Sequence, residues 1–376
     1  MNIVLFGATG FTGALTAEYL AQTGASGWVL AGRNAAKLGA LRDRLAVDVP
    51  VRVADADDPA SLRRAIEGAS VVISTVGPYV RYGEPLVAAC AESGVDYVDL
   101  TGEPEFVDRM YVAHHATAER TGARIVHACG FDSIPHDLGA YFTVRQLPDD
   151  MPIRLRGYLS AGGSPSGGTF ATLLLAMSRG REAAAAGKAR RAAEGPRSGR
   201  RARAVRGRPG YEPAIGRWVL PLPTIDPQIV VRSARLLPEY GPDFSYSHYA
   251  AFRNPVSAAG LAAGVGGAFA LSQLGPTRRL LGRLRPPGAG PDAAQRAKGW
   301  FRVRFLAEAG DQRLVTEVAG GDPGYGETAK MLAESALCLA HDDLPATAGQ
   351  VTTAVAMGDA LCRRLQARGI TFSVLS

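Results

Sequence analysis

The segment Asn2–Gly13, NIVLFGATGFTG, constrains the fold of this chain more than any other part of the sequence. The apolar residues Ile3–Phe6 predict a short buried strand, and glycines follow at positions 7, 10 and 13. A helical pattern begins near Phe11, so the glycines lie in a strand-to-helix turn. In the dinucleotide-binding fingerprint such glycines allow a tight turn, close approach of a pyrophosphate, and close packing of helix on strand. The segment therefore predicts a nucleotide-binding βαβ unit.

The first 145 residues alternate short apolar strands with helical patterns, which is typical of a doubly wound parallel sheet. The predicted strands are Ile3–Phe6, Trp28–Ala31, Val51–Ala54, Val71–Thr75, Tyr97–Leu100 and Arg124–Ala128. We therefore expect a Rossmann-type α/β domain over residues 1–145. Ligands of such sheets bind at the carboxyl ends of the strands.

Beyond residue 150 the strand-like segments follow one another directly, among them IRLRGYLSA, QIVVRSARL and FSYSHYAAF. Two further segments, Trp300–Glu308 and Arg313–Ala319, are joined by a hairpin-like turn. This pattern predicts a second α+β domain over residues 150–340, built on a mixed or antiparallel sheet. The helical pattern near the end predicts that residues 345–376 pack back on the first domain.

The net charge of +7 belongs to one stretch of the chain. Residues 179–210 hold eleven Lys and Arg against two acidic residues, so the remainder of the chain is slightly negative. Because this stretch has few large apolar residues, we expect a mobile basic surface insertion. Attraction to an anionic membrane, an acidic partner or a phosphorylated substrate are the alternatives. Nucleic acid is disfavoured, because no aromatic residues interleave with the arginines.

The remaining bulk features predict a cytoplasmic protein. The four cysteines lack a C-x-x-C pairing, and the amino-terminal apolar run is too short for a secretory signal. The nearly uncharged segment Val256–Leu274 owes its apolarity to Ala and Gly, which predicts a buried helical hairpin or a lipid-facing patch rather than a membrane span. We predict no metal site, and the sequence leaves open whether the chain forms a homo-oligomer.

The end of the second predicted strand indicates which nicotinamide cofactor is bound. An NAD site needs an acidic residue there to hold the ribose 2′-hydroxyl, yet no Asp or Glu lies between Glu18 and Asp43. The strand ends LAGRN, which places Arg33 at that position and Lys37 one helical turn later. Cations there would pair with a 2′-phosphate, so the sequence predicts NADP(H).

The other predicted cofactor contacts lie in the glycine-rich turn or directly after the third and fourth strands. They are Gly7, Thr9, Gly10, Phe11, Thr12, Gly13, Asp55, Ser74, Val76, Gly77 and Pro78. Asp55 is placed to meet the adenine edge, and the segment STVGPY is placed beside the nicotinamide. For single residues of that segment, an ordinary strand-end turn explains the sequence equally well.

Four segments resemble the saccharopine dehydrogenase-like oxidoreductases, and among them the trans-acting enoyl reductases. These are GATGFTG, AGRN, VGPYVRYGEPLVAACAESGVDYVDLTGE and HACGFDSIPHDLG, with SGGT at Ser166–Thr169 and GWFRVRF at Gly299–Phe305 as later markers. The resemblance implies an NADP-binding Rossmann domain joined to a sheet-bearing second domain. It also implies reduction of an enoyl intermediate, a small-molecule or carrier-bound acyl substrate made by a separate polyketide synthase, typically toward lipid.

Such a reduction needs a donor for the developing enolate and an acid for the α-carbon. Our candidates at the strand ends are Tyr79, Arg81, Tyr82 and Asp132; we also considered Asp99, Thr101, Glu103, Ser133 and His136. For Asp132 and Ser133 the sequence favours helix capping over catalysis, since a proline follows. Aromatic packing at the domain junction is the alternative for both tyrosines.

The residues also bear on three other functions. Short-chain reductase chemistry is disfavoured, because no tyrosine has a lysine four residues later. A saccharopine- or opine-type amino-acid dehydrogenase would need arginines for substrate carboxylates, and Arg232, Arg235 and Arg253 are available. A non-catalytic NADPH-binding sensor would explain why the sequence shows no clear acid–base pair.

Overall fold

A computed structural model describes residues 2–162, 179–195, 199–272 and 292–376. The segment SGGT, used above as a family marker, lies outside these ranges. In the described ranges the strands are β1 Asn2–Phe6, β2 Trp28–Gly32, β3 Val51–Val53, β4 Ala69–Ser74, β5 Asp96–Asp99, β6 Arg124–Val126, β7 Ile153–Gly162, β8 Arg201–Ala204, β9 Gly210–Glu212, β10 Arg217–Pro221, β11 Asp243–Phe252, β12 Trp300–Ala309, β13 Gln312–Gly320, β14 Gly349–Val351 and β15 Thr371–Val374.

The helices occur between these strands. They are α1 Phe11–Gln22, α2 Ala35–Leu45, α3 Pro59–Ile66, α4 Tyr79–Tyr82, α5 Glu84–Ser93, α6 Pro104–Thr121, α7 Ile134–Val144, α8 Gly180–Glu194, α9 Asp226–Leu236, α10 Pro255–Ser272, α11 Ala293–Arg296, α12 Gly326–His341, α13 Thr353–Ala356 and α14 Gly358–Ala367.

The first sheet has the strand order β14-β6-β5-β4-β1-β2-β3, and all its described pairings are parallel. Apart from β14, this is the order of a doubly wound nucleotide-binding sheet. The strands are buried on both faces, since α3, α5 and α6 cover one side and α1 and α12 the other. The predicted Rossmann-type α/β fold is thereby confirmed.

The second sheet is mixed and has the order β15-β13-β12-β7-β11-β10-β9, with β8 beside β11. Its central strand β7 pairs antiparallel with β12 and parallel with β11. Helices α7 and α9 pack on this sheet. The last residues of the chain contribute to both sheets, because β14 joins β6 and β15 joins β13.

Three local expectations are wrong. The segment QIVVRSARL, expected as a strand, lies within α9, which begins Asp226-Pro227; proline in the first turn favours a helix start. The expected unpacked basic insertion forms α8 and β8, and its Arg190 is buried against Asp108 and Glu194. These acidic partners neutralise the charge of Arg190, which could not be predicted from the composition of the stretch.

Of the two expectations for the nearly uncharged segment, the buried hairpin is wrong over the described residues, which form one helix, α10, and the lipid-facing patch stays a prediction. Val256 in this helix is 78% exposed. None of the helices within the described ranges combines the length and apolarity that crossing a membrane requires.

Candidate functional site

The glycine-rich turn brings the start of α1 against the ends of β1 and β4. Gly7 has φ +86°, a left-handed conformation that favours glycine, and a Cβ there would lie 2.6 Å from Val76 Cγ2. A Cβ on Gly13 would lie 2.3 Å from the Gly7 carbonyl oxygen. These two glycines are therefore needed for the close approach of helix and strand.

Gly10 differs from its two neighbours in the motif. It is exposed at the N-cap of α1, and a Cβ there would approach only the Gly7 carbonyl oxygen, at 3.3 Å. No side chain in the described part of the chain caps this helix end. The first backbone N–H groups of α1 thus face an open surface beside Thr9 and Thr12, as an anion-binding helix start requires.

The end of β2 carries two exposed cations. Asn34 caps α2 by accepting a hydrogen bond from the Lys37 backbone N–H at 2.9 Å, which fixes the turn that follows Arg33. Both Arg33 and Lys37 are exposed, and neither forms an ion pair with the residues that the structure describes. Their charges are available to a 2′-phosphate, and the residues here fit NADP(H).

The remaining predicted cofactor contacts sit along the same edge of the sheet. Asp55 follows β3 and accepts a hydrogen bond from the Asp57 backbone N–H at 3.1 Å, so it shapes its own turn. Ser74 ends β4, Val76 packs on the glycine turn, and Gly77 and Pro78 lead into α4. Phe11 reaches in the other direction, with its ring edge-on to Tyr325 at 4.6 Å between centroids.

Sequence reasoning missed Thr75 as a residue of this site. Its hydroxyl donates to the carbonyl oxygens of Phe6 and Gly7, each at 3.1 Å, and thereby ties the end of β4 to the glycine turn. Its role could have been predicted from its position directly after a buried strand, at the point where the strand order of the sheet reverses.

The structure does not support Tyr79 as a proton donor. Its side chain is buried, its hydroxyl donates to the Ser74 carbonyl oxygen at 2.9 Å, and burial raises its pKa well above 10. Its backbone N–H and that of Val80 donate to the Glu103 carboxylate at 3.0 and 2.8 Å. Tyr79 and Glu103 therefore hold α4 in place, which corrects the catalytic expectation for Tyr79.

Arg81 and Tyr82 are both exposed on α4. Arg81 lines a surface cavity of about 440 Å³ whose walls come from α3, α5 and α6. Charges in its lining come from Arg63, Glu84 and Arg109, and no residue of the second sheet borders it. Asp132, another candidate at the strand ends, is not among the residues that line this cavity.

The buried Asp99 carboxylate connects residues of the turns that follow β5 and β6. It accepts from the backbone N–H groups of Thr101 and Ala128 at 3.0 Å, and it lies 2.7 Å from His127 Nδ1. Because all these partners are internal, Asp99 and Thr101 organise the turns after β5 and β6 rather than face a ligand.

Asp132 lies in the turn between β6 and α7, on the edge where the two sheets meet. Burial of its carboxyl group raises its pKa to about 6, although the residue as a whole is partly exposed. The capping alternative is wrong for this helix, since no side chain accepts at its start and the buried Ser133 hydroxyl has no partner among the described residues. No hydrogen bond from the described residues holds the Asp132 carboxyl group, so this group can act on a ligand.

Three further side chains meet beside this turn: His136 from α7, Asp226 from the start of α9 and His248 from β11. All three are buried. His136 Nε2 lies 3.6 Å from Asp226 Oδ1, and His248 Nε2 lies 3.4 Å from Asp226 Oδ2. Burial lowers the pKa of His248 to about 3 and that of His136 well below 6.5, while it raises that of Asp226. Of this cluster, sequence reasoning considered only His136.

Comparison with known proteins fits this geometry. Residues 3–126 match the family model described as the saccharopine dehydrogenase NADP binding domain. A trans-acting enoyl reductase of Mycobacterium ulcerans is 37% identical over 99% of this chain and 97% of its own length. A Mycobacterium tuberculosis relative is 40% identical over 98% of this chain and 96% of its own. The chain belongs to the saccharopine dehydrogenase-like oxidoreductases, in the group of the trans-acting enoyl reductases.

A solved structure shows the same fold over the whole oxidoreductase. Apo saccharopine dehydrogenase (L-Glu forming) from Saccharomyces cerevisiae has a TM-score of 0.57, covers 100% of both chains, and is 12% identical. Identity this low supports the fold alone. Together the comparisons confirm the predicted family, the NADP(H) cofactor and the assignment as an NADP-dependent oxidoreductase.

Of the three arginines considered for an amino-acid dehydrogenase, Arg253 is exposed, and the other two are held by internal contacts. Arg232 is buried, donates to the Gln350 carbonyl oxygen at 3.1 Å and lies over the Tyr111 ring. Arg235 pairs with Glu194 at 3.1 Å. Both arginines therefore hold α9 in place, and neither is available for a substrate carboxylate.

Proposed function

We propose that this oxidoreductase uses NADPH to reduce the carbon–carbon double bond of an α,β-unsaturated acyl thioester. The observation that carries the proposal is the position of Asp132, a free carboxyl group with a raised pKa on the cofactor edge of the sheet. Its full-length relatives are named trans-acting enoyl reductases, which supports the same reaction.

In this mechanism the amino-terminal domain binds and orients the cofactor. The N–H groups at the start of α1 would hold the pyrophosphate, and Arg33 with Lys37 would hold the 2′-phosphate. When bound, NADPH supplies the hydride that adds to the β-carbon of the substrate. Val76 and Gly77, directly after β4, would contact the nicotinamide end of the cofactor.

Asp132 then completes the reduction. Hydride addition moves an electron pair from the double bond toward the thioester oxygen, and a proton must reach the α-carbon. A carboxyl group with a pKa near 6 is a suitable general acid close to neutral pH, because it combines a protonated fraction with sufficient acidity. Solvent restores the proton, since Asp132 is partly exposed.

NADPH oxidation followed at 340 nm tests the proposal. Purified protein is offered enoyl thioesters of increasing chain length, with imines and keto acids as competing substrate classes. We expect turnover of the thioesters, and a loss of about 100-fold in kcat for Asp132→Asn with unchanged NADPH affinity, as for removal of a general acid. Asp149→Asn, the same change on an exposed loop residue, is the matched control.

Two results would overturn the proposal. Turnover of imines or keto acids alone would assign an amino-acid dehydrogenase. Tight NADPH binding without turnover of any substrate class would assign a sensor.

The substrate carrier is a second part of the proposal. We infer that the acyl chain arrives on the carrier domain of a separate polyketide synthase, since relatives are named as acting in trans. The exposed Arg206 and Arg208 offer positive charge to an acidic carrier. A lower KM for a carrier-bound than for a free thioester, lost in the double Glu variant of these arginines and at high salt, would support it; equal KM values would contradict it.

A further inference from the structure

We propose that His136, Asp226 and His248 form a binding site for a divalent transition metal, with zinc as the ion that best fits the ligand set. This cluster is formed by β11 of the second sheet and by α7 and α9, which pack on that sheet, and it shares no residue with the glycine-rich turn. The proposal concerns metal binding and does not depend on the reaction proposed above.

The three side chains have the spacing that a metal requires. One ligand atom from each lies within 4.8 Å of the other two. His248 Nε2 lies 3.4 Å from Asp226 Oδ2 and His136 Nε2 lies 3.6 Å from Asp226 Oδ1, so each imidazole faces a different oxygen of the carboxylate. Zinc bonds of about 2.0–2.1 Å in tetrahedral geometry separate neighbouring ligands by roughly 3.4 Å. The same distances are long for hydrogen bonds, which are typically about 2.7–3.2 Å.

Each residue also has an atom without a hydrogen-bond partner. Among the described residues none pairs with His136 Nδ1, Asp226 Oδ1 or His248 Nε2, and all three atoms are buried. Buried polar atoms of native proteins are nearly always paired. A cation bound to Asp226 Oδ1 and His248 Nε2 would satisfy two of these three atoms.

Neighbouring groups orient two of the ligands. The Tyr246 hydroxyl lies 3.2 Å from His248 Nδ1, so a hydrogen bond there leaves Nε2 of that ring for the metal. Thr224 donates its hydroxyl to Asp226 Oδ2. Gly157 makes room for this arrangement, because a Cβ there would lie 2.4 Å from the Tyr246 hydroxyl oxygen. Outer partners of this kind are typical of metal sites.

The donor types select the class of ion. Two imidazoles and one carboxylate are a common zinc ligand set that leaves a fourth position for water or another ligand. Calcium and magnesium prefer oxygen donors alone, and two buried histidine nitrogens disfavour both ions. The competing arrangement is a metal-free cluster in which a protonated Asp226 lies between two neutral histidines.

Metal analysis of the full-length protein distinguishes the two arrangements. The protein is purified without a histidine tag, stripped with a chelator, reloaded with Zn²⁺, dialysed and measured by elemental mass spectrometry. We expect about one zinc per chain for wild type and less than a tenth of that for Asp226→Asn and His248→Gln. His341→Gln, which removes an exposed histidine at the end of α12, should keep the metal.

Two further readouts keep the proposal falsifiable if these core variants fold poorly. Tyr246→Phe retains the ligands and should bind zinc about 10–100-fold more weakly, as loss of an outer partner does. Cobalt in the site should give the visible absorption of a tetrahedral ion. A reloaded wild type without stoichiometric zinc, or equal zinc content in wild type and a folded Asp226→Asn variant, would overturn the proposal. None of these measurements uses NADPH or a thioester, so their failure leaves the proposed reaction untouched.

Discussion

Substituting the glycines of the amino-terminal turn one at a time separates their roles. Gly13→Ala would place a methyl group 2.3 Å from the Gly7 carbonyl oxygen and 2.8 Å from Thr75 Oγ1. Gly10→Ala would add the same methyl group at an exposed position, with 3.3 Å to the Gly7 oxygen as its closest approach. The two variants therefore make one chemical change in two different surroundings.

The expected magnitudes follow from these contacts. At position 13 the start of α1 must move by about 1 Å to reach a normal contact, and such overpacking costs about 1–3 kcal/mol, partly offset by about 1 kcal/mol of helix propensity. At position 10 the loss of stability should stay below about 1 kcal/mol, since alanine is merely a poorer N-cap. Its methyl group nevertheless projects from the surface assigned to the pyrophosphate.

Thermal unfolding without ligand and titration of NADPH fluorescence measure the two effects separately. Gly13→Ala should lose both stability and NADPH affinity, whereas Gly10→Ala should keep its stability and lose at least about tenfold in affinity, equivalent to 1.4 kcal/mol. If Gly10→Ala binds NADPH like wild type, the pyrophosphate does not lie on this turn. Unchanged stability of Gly13→Ala would refute the argument from close approach.

Three other outcomes follow from individual contacts. Arg33→Asp should weaken NADPH binding about 10–100-fold and NADH binding much less, as fluorescence titration would show; equal losses, or a similar effect of the exposed control Arg313→Asp, would contradict the 2′-phosphate assignment. Glu103→Ala leaves two backbone N–H groups of α4 without an acceptor and should cost about 1–3 kcal/mol in urea unfolding; a loss near zero would show that water replaces the carboxylate. Paired with Arg364, Asp342 has a lowered pKa, so the pair stabilises the fold above the unfolded pKa of about 4 and loses this effect as the pH falls through the folded value. Asp342→Asn should therefore cost about 0.5–1 kcal/mol at pH 7, after screening of a partly exposed carboxyl, and nothing near pH 2; a pH-independent difference would contradict this.

The sequence predicted the cofactor half of the site because the determinants there are local. Gly7, Gly10 and Gly13 act within one turn, and the choice of cofactor depends on Arg33 at one strand end. Such features are read directly from spacing, since the strand before and the helix after fix where each residue points. Thr75 was not predicted because its role is a hydrogen bond across the sheet, to the Gly7 carbonyl oxygen 68 residues earlier in the chain.

The catalytic half depends on side-chain direction, which periodicity does not encode. Tyr79 and Asp132 both follow strands and look equivalent in the sequence. In the fold, the Tyr79 hydroxyl turns inward to Ser74, whereas the Asp132 carboxyl remains without an internal partner. The basic stretch shows the same limit, because Arg190 is neutralised by Asp108, which lies 82 positions earlier.

The cluster of His136, Asp226 and His248 could not be predicted from the sequence, and the reason is physical. A zinc motif is recognisable when two ligands lie within a few residues on one turn or helix, but here they are separated by 90 and 22 positions. They meet because α7 and α9 pack against each other and on the second sheet, whose strand β11 carries His248. A bound ion would therefore link three elements that are far apart in the chain. Metal binding to this cluster should consequently raise the unfolding temperature of the whole chain in one transition, rather than stabilise one half alone.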